Sequence, residues 1–185
     1  MHERQWLLLG NKYAFLHIYI ACQTTRSDSY LQWNKDLFQL VTGEAILLRR
    51  QGICCLAMGD FNTRVGQMDG LEGNTSDTNS NFPMFTTFIQ QVNMTILNTL
   101  PISQGLFTRF MDKAGTTGSK SLLDYGLIDN DHHNTVTSFT IDEEARFSCG
   151  SDHALLECII NVDNRPSVQW SYSEAVHYNI TPSTN

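Results

Sequence analysis

The sequence predicts an α+β fold, a two-layer β-sandwich flanked by helices, and three observations carry that prediction. In the first half, apolar runs of strand length alternate with two segments whose apolar residues recur every three or four positions. From Thr95 onward, short strand-like runs follow one another with no further helical pattern. At 185 residues, 41% hydrophobic and 17% charged, the chain has one-domain size and enough apolar material for a core.

Taken in order, Leu7 to Leu9 and Tyr13 to Ile20 predict a strand pair joined by a turn at Gly10-Asn11. Tyr30, Trp33, Leu37, Leu40, Val41, Ala45 and Leu48 then form one apolar face, so Ser29 to Arg50 is a helix that stops at Gly52. Ile53 to Met58 is a buried strand. Gln67 to Asn81, rich in Gly, Asn, Ser, Thr and Asp, is a surface loop. Phe85, Phe88, Ile89 and Val92 mark a second helix, and strands follow at Thr95 to Asn98, Leu106 to Phe110, Ser121 to Ile128, Val136 to Ile141 and Ala154 to Val162. The aromatic pairs Tyr30/Trp33 and Phe85/Phe88 read as core faces, not platforms for stacked bases. Asp129 to Asn134, with His132 and His133, reads as a polar hairpin loop. The last residues sustain no long periodicity.

A formal net charge of -7 argues against broad attraction to a polyanion, which needs clustered Lys and Arg. Nucleic-acid contact is expected to be local, through Arg64, Arg109, Lys113 and Lys120. The five cysteines, Cys22, Cys54, Cys55, Cys149 and Cys158, sit in or beside strand-like runs and read as reduced core or near-core residues of an intracellular protein, in the nucleus or the cytoplasm. No Cys-x-x-Cys spacing marks a structural zinc site. The first residues lack the pattern of a signal peptide, and no apolar run reaches membrane-spanning length.

The chemistry gathers at strand ends. Gly59-Asp60-Phe61-Asn62 sets a carboxylate and a carboxamide two residues apart where the Ile53 to Met58 run stops. Leu123-Asp124-Tyr125 places an acid inside an apolar strand, and Ser151-Asp152-His153 precedes another. A buried charge must be paired, hydrogen-bonded or metal-bound, so Asp60, Asn62, Asp124, Asp152 and His153 are expected to converge on one mouth.

The words GDFN, LDY and SDH, in that order and at comparable separations, resemble the C-terminal portion of the endonuclease/exonuclease/phosphatase superfamily of metal-dependent phosphodiesterases. His17-Ile18-Tyr19-Ile20 resembles the family strand whose tyrosine reaches the scissile phosphate, although Ala21-Cys22-Gln23 stands where Tyr-x-Pro-Asn would continue. Asn62-Thr63-Arg64-Val65-Gly66, Ile96-Leu97-Asn98-Thr99 and Phe107-Thr108-Arg109-Phe110 are most similar to the endonuclease domains of LINE-type retrotransposons and their domesticated relatives. The resemblance spans about Leu7 to Val162. It implies the same sandwich fold, a Mg2+ or Mn2+ cofactor and nucleic acid, DNA above all, as the partner.

By that resemblance, His153 is the base that activates water, Asp124 holds its other ring nitrogen, and Asp60 orients the water or protonates the leaving group. Asn62 bonds the phosphate, Tyr19 donates to it in the transition state, and the metal falls to Asp60, Asn62, Asp152 and His153. The family's asparagine and principal metal-ligand glutamate, on strands preceding the tyrosine strand, find no room ahead of Tyr19, and Glu3 is a poor substitute. The expectation is therefore a partial, N-terminally truncated domain over 1–165 and a flexible tail over 166–185, cleaving nucleic acid poorly or not at all alone. A catalytically dead interaction module and a phosphoinositide or nucleotide phosphatase of the same superfamily are the alternatives; against the phosphatase, only Arg64 adjoins either the GDFN or the SDH word.

Overall fold

The computed structural model describes residues 3–9, 12–22, 28–66, 78–111, 119–144, 146–147 and 150–162. The tail, Lys113, Cys149, the Gly10-Asn11 turn and most of the Gln67 to Asn81 loop lie outside the described residues. The strands are β1 (Glu3–Leu9), β2 (Tyr13–Tyr19), β3 (Cys54–Asp60), β4 (Met94–Ile96), β5 (Ser103–Gln104), β6 (Arg109–Phe110), β7 (Lys120–Ser121), β8 (Asp124–Asp129), β9 (Val136–Ile141) and β10 (Leu156–Ile160). The helices are α1 (Asp28–Arg50) and α2 (Phe82–Val92), with 3-10 turns at Leu97–Thr99 and Asn130–Thr135.

A five-stranded sheet, in the order β1-β2-β3-β8-β4, is the central layer. Period-two alternation sorts its side chains. Ala14, Leu16, Ile18, Cys55, Ala57, Tyr125 and Leu127 face α1 and α2, where Leu37, Phe38, Val41, Ala45, Phe85, Phe88 and Val92 close one core. Cys54, Leu56 and Ile128 face the other way, onto a three-stranded sheet ordered β10-β9-β5 that contributes Val136, Phe139 and Ile141. Two sheets packed face to face, with helices on one outer face, match the expected sandwich.

Local chemistry sets the boundaries. α1 ends at Gly52, whose φ of 75° and N–H bond to Arg49 O turn the chain into β3. Pro83 opens α2, and Asn93 ends it at a left-handed φ of 58°. The β3–β8 pairing buries Gly126 against β9, where an added Cβ would lie 2.5 Å from the Phe139 ring. Burial pushes the thiols of Cys54 and Cys55 up to about 12.

Several expectations need correction. The inner face of α1 is Asn34, Leu37, Phe38, Val41 and Ala45; Leu40 is 43% and Trp33 40% exposed, so the Tyr30/Trp33 pair is an edge contact at the helix rim and not a core face. The run Ser121 to Ile128 is not one strand, because Thr108 Oγ1 accepts the Leu123 and Asp124 N–H groups and interrupts the ladder between β7 and β8. Asn130–Thr135 is a 3-10 turn and not a plain hairpin loop. Cys22 is exposed, Cys158 half-buried, and only Cys54 and Cys55 are core among the described cysteines.

Candidate active site

Register alone lines up most of the site. Parallel pairing of β2 with β3 sets Tyr19 beside Asp60, and antiparallel pairing of β3 with β8 sets Asp60 beside Asp124. Partners across a ladder share a face, so all three lie on the side of the second sheet. In the β1–β2 register the backbone of Glu3 pairs with that of Tyr19. His153 arrives from the segment leading into β10: its backbone bridges Arg109, and the next residue's N–H donates to Thr108 O at 2.7 Å. The polar end of a cavity of about 420 Å³ is formed by Tyr19, Asp60, Asp124 and His153, and its apolar wall by Phe15, Met58 and Leu156.

The intervening letters of the motifs act as anchors. Phe61 is fully buried, with its ring 5.0 Å from that of Phe85 and 6.2 Å from that of Tyr125. Tyr125 Oη donates to Thr63 O at 2.9 Å, tying the LDY strand to the GDFN turn. Aromatic residues packed on the helix side thus hold Asp60 and Asp124 on the opposite side.

Asp60 ends β3 and accepts the Asn62 N–H at 2.8 Å on one oxygen and Asn62 Nδ2 at 2.7 Å on the other. Asn62, at a left-handed φ of 43°, also donates Nδ2 to Ile20 O at 2.8 Å, so its amide hydrogens are committed to the turn and to the end of β2. Behind it, Asn79 and Asn81 donate to Asn62 O, and Asn34 donates to Asn81 Oδ1 at 2.8 Å. Asp124, 7% exposed, faces His153 Nδ1 at 3.1 and 3.0 Å through its two oxygens, leaving Nε2 as the ring nitrogen able to take a proton. Asn98 clamps the same strand, accepting the Gly126 N–H at 3.0 Å and donating to Asp124 O at 3.3 Å.

Donor atoms of Asp60, Asp124 and His153 lie within 4.8 Å of one another. Asp152, by contrast, faces Arg109, with Oδ2 3.4 Å from Nε, and stands outside that group. Tyr19 is 38% exposed at the cavity rim. Of the expected cations, Lys120 rests over the Phe107 and Phe110 rings at 5.6 and 5.2 Å, while exposed Arg64 anchors the turn through its N–H to Asn79 Oδ1. The supports Asn34, Asn79, Asn81, Asn98 and Thr108 were not singled out by sequence reasoning. Asn98 and Thr108 do stand within Ile96-Leu97-Asn98-Thr99 and Phe107-Thr108-Arg109-Phe110, which was the available signal.

Electrostatics couple the cluster. Burial, and then the Asp124 charge, push Asp60 up to about 7, against the pull of the Asn62 N–H, His153 and Arg109. The hydrogen bond to Asp124 raises His153 above the ordinary histidine value, against burial. Burial and the Asp60 charge raise Tyr19 and keep its phenol a donor.

One stability consequence follows for Asp60. Its folded value lies above its unfolded one, so its contribution is greatest below about pH 4 and falls as pH rises through about 7, where the folded chain must carry the buried charge. Asp60→Asn removes that charge. In EDTA at pH 8 the variant is expected to be more stable by roughly 2 kcal/mol after allowing for one lost hydrogen bond, with the gain vanishing by about pH 4. Urea unfolding at both pH values checks it. A variant less stable than the parent at pH 8 contradicts this account.

No family model matches the chain, and no curated protein matches it. Solved structures do. The 3′ phosphatase NExo from Neisseria, bound to product DNA hairpin, matches at 18% identity and a TM-score of 0.62 over 85% of this chain and 65% of its own. The 3′-5′ exonuclease NExo from Neisseria meningitidis matches at 16% identity and 0.63, over 86% and 66%. The AP endonuclease LMAP from Leishmania major matches at 15% and 0.58, over 79% and 49%. The chain thus spans two thirds of these structures or less. At these identities the likeness is one of fold: the chain shares the fold of the endonuclease/exonuclease/phosphatase superfamily, to which these enzymes belong.

Proposed function

We propose that the cavity end formed by Tyr19, Asp60, Asp124 and His153 is the site of a metal-dependent phosphodiester hydrolase acting on DNA. The observation that carries this reading is the convergence of two carboxylates and an imidazole from three strand ends within 4.8 Å, with the imidazole oriented by one of the carboxylates.

The donor set fits a hard divalent cation. Asp60 and Asp124 present carboxylate oxygens on one face, with His153 and Arg109 offsetting the charge of Asp60. Asp60 would hold Mg2+ or Mn2+, helped by a reoriented Asn62 Oδ1 and by Asp152 if its pair with Arg109 opens. When bound, such an ion polarises a phosphoryl oxygen and offsets charge on the leaving oxygen. Such ions keep several waters and need only one or two carboxylates, but Asp124 is engaged by His153 and Asp152 by Arg109, so affinity and turnover are expected to be low.

The chain's own residues divide the remaining work. His153 Nε2 takes the proton of the attacking water, and Asp124 fixes the tautomer that makes this possible and offsets the imidazolium that forms. Asp60, ionised when it holds the cation, can orient the attacking water. Tyr19 donates its phenol to the phosphate. Arg109 offers a local contact for a neighbouring phosphate, consistent with the acidic overall charge. A second reading, removal of a terminal phosphate, is prompted by the Neisseria neighbour described as a 3′ phosphatase.

The test incubates the chain with supercoiled DNA, abasic-site DNA and a 3′-phosphorylated hairpin in Mg2+ or Mn2+, beside an Asp60→Asn, His153→Ala double variant. Slow nicking by the parent that disappears in the double variant and in EDTA is expected. Nicking unchanged by the substitutions overturns the assignment. Inactivity of both chains on every substrate favours the interaction-module reading, and phosphate release without strand cleavage favours the phosphatase.

A further inference from the structure

At the end of β3 remote from Asp60, three side chains of different donor chemistry meet. Cys54 opens β3, Asp129 closes β8, and His132 lies in the 3-10 turn that follows. Antiparallel pairing of β3 with β8 brings the start of one beside the end of the other. Cys54 Sγ, an Asp129 oxygen and a ring nitrogen of His132 all lie within 4.8 Å of one another. Cys54 is 1% and Asp129 2% exposed, and His132 Nδ1 is buried without a hydrogen-bond partner. Buried ring nitrogens ordinarily find a partner, so an unpartnered nitrogen on a ring that also reaches a thiol and a carboxylate points to something the protein binds.

We propose that Cys54, Asp129 and His132 form a zinc site that clamps β3 to β8. One thiolate, one imidazole and one carboxylate suit a borderline-soft, four-coordinate ion and disfavour Mg2+. Zinc bonds of about 2.0–2.3 Å imply ligand separations of about 3.3–3.7 Å, within reach of side-chain rotation from the present arrangement. On binding, the Cys54 S–H proton goes to solvent, the sulfur pair forms the bond to zinc, and water fills the fourth position.

Charge closes as well. Arg49 lies with Nε 2.8 Å from Asp129 and Nη2 3.2 Å from Asp131. With zinc bound, the Cys54 thiolate and the Asp129 and Asp131 carboxylates are balanced by Arg49 and the ion. Arg49 keeps Asp131 and Val92 O as partners while sharing Asp129. The site is about 20 Å from Asp60 along β3, so it is a structural clamp on the two strands whose opposite ends carry Asp60 and Asp124, and not part of the hydrolytic cluster.

Cobalt(II) is the probe, because thiolate coordination gives a near-ultraviolet charge-transfer band that oxygen and imidazole ligation at Asp60, Asp124 and His153 does not. The full chain, reduced and metal-free, is expected to show this band saturating at one equivalent, persisting in excess Mg2+ and lost on adding zinc. Cys54→Ser and His132→Ala lose it; Cys22→Ser and Asp60→Asn keep it. Cys54 is buried and its variant could unfold, so circular dichroism accompanies it; the partly buried His132 gives a variant that keeps the test sharp. A band absent from the parent, surviving His132→Ala, or lost in Cys22→Ser overturns the proposal. The readout involves no cleavage, so it stands or falls separately from the hydrolase reading.

Discussion

Exchanging Asp124 for asparagine is expected to lower hydrolysis by about 10²–10⁴-fold and to move the titration of His153 downward. The carboxylate faces Nδ1 at 3.0 Å and, as an acceptor, requires that nitrogen to carry the proton, which leaves Nε2 free to take another. An asparagine can turn its NH2 toward Nδ1 instead, favouring the tautomer with hydrogen on Nε2, which cannot act as a base. The same bond is the largest cause of the raised His153 value, so losing it lowers that value. The linkage has a definite sign. In the parent, the stability gained from this pair is fully present below the ordinary histidine range and is lost as pH rises through the raised folded value. In the variant that pH dependence is diminished or reversed. Titration of the His153 ring by NMR gives an answer even if cleavage is slow, and an unchanged midpoint would refute the pairing as the source of the shift.

Gly59→Ala is expected to abolish folding or to cost more than about 4 kcal/mol, beyond the range of ordinary substitutions. Gly59 sits in β3 beside β2 at a φ of 147°, and a Cβ there would lie 2.1 Å from Ile18 O. The obstacle is backbone in the middle of the sheet, so relief requires separating β2 from β3. That would displace Tyr19 from Asp60 and unsettle the bond from Ile20 N to Asp60 O. Gly43→Ala, on the exposed side of α1 with nothing within 4 Å, is the control and is expected to be neutral or to stabilise by about 0.5–1 kcal/mol. Urea unfolding of both variants decides the matter; a Gly59→Ala midpoint near that of the parent contradicts the close approach.

The first letter of the GDFN word therefore has a reason of its own. Gly59 lets two strands approach, Asp60 faces the cavity, Phe61 anchors the turn in the helix-side core, and Asn62 takes a left-handed conformation with its amide closing the turn. Each role is carried by a different side chain at a fixed alternation, which is why so short a word was informative.

Periodicity was enough to determine the layers. Apolar runs of strand length and three-to-four spacing depend on neighbours in the chain, and they placed α1, α2, β2, β3, β8 and β9 near where they lie. The order of GDFN, LDY and SDH pointed to the strand ends that meet. Tertiary structure alone decided the rest. It set the register that aligns Tyr19, Asp60 and Asp124 across three strands, since pairing depends on hydrogen bonds between segments distant in sequence. It turned Asp152 toward Arg109, a choice of rotamer and partner that no spacing encodes. It recruited Thr108 and Asn98 to hold β8, and it brought Cys54, Asp129 and His132 together although 74 residues separate Cys55 from the Asp129 carboxylate it bonds. Local patterns record which face of an element is apolar. Which polar groups meet across faces is settled only when burial forces each to find a partner.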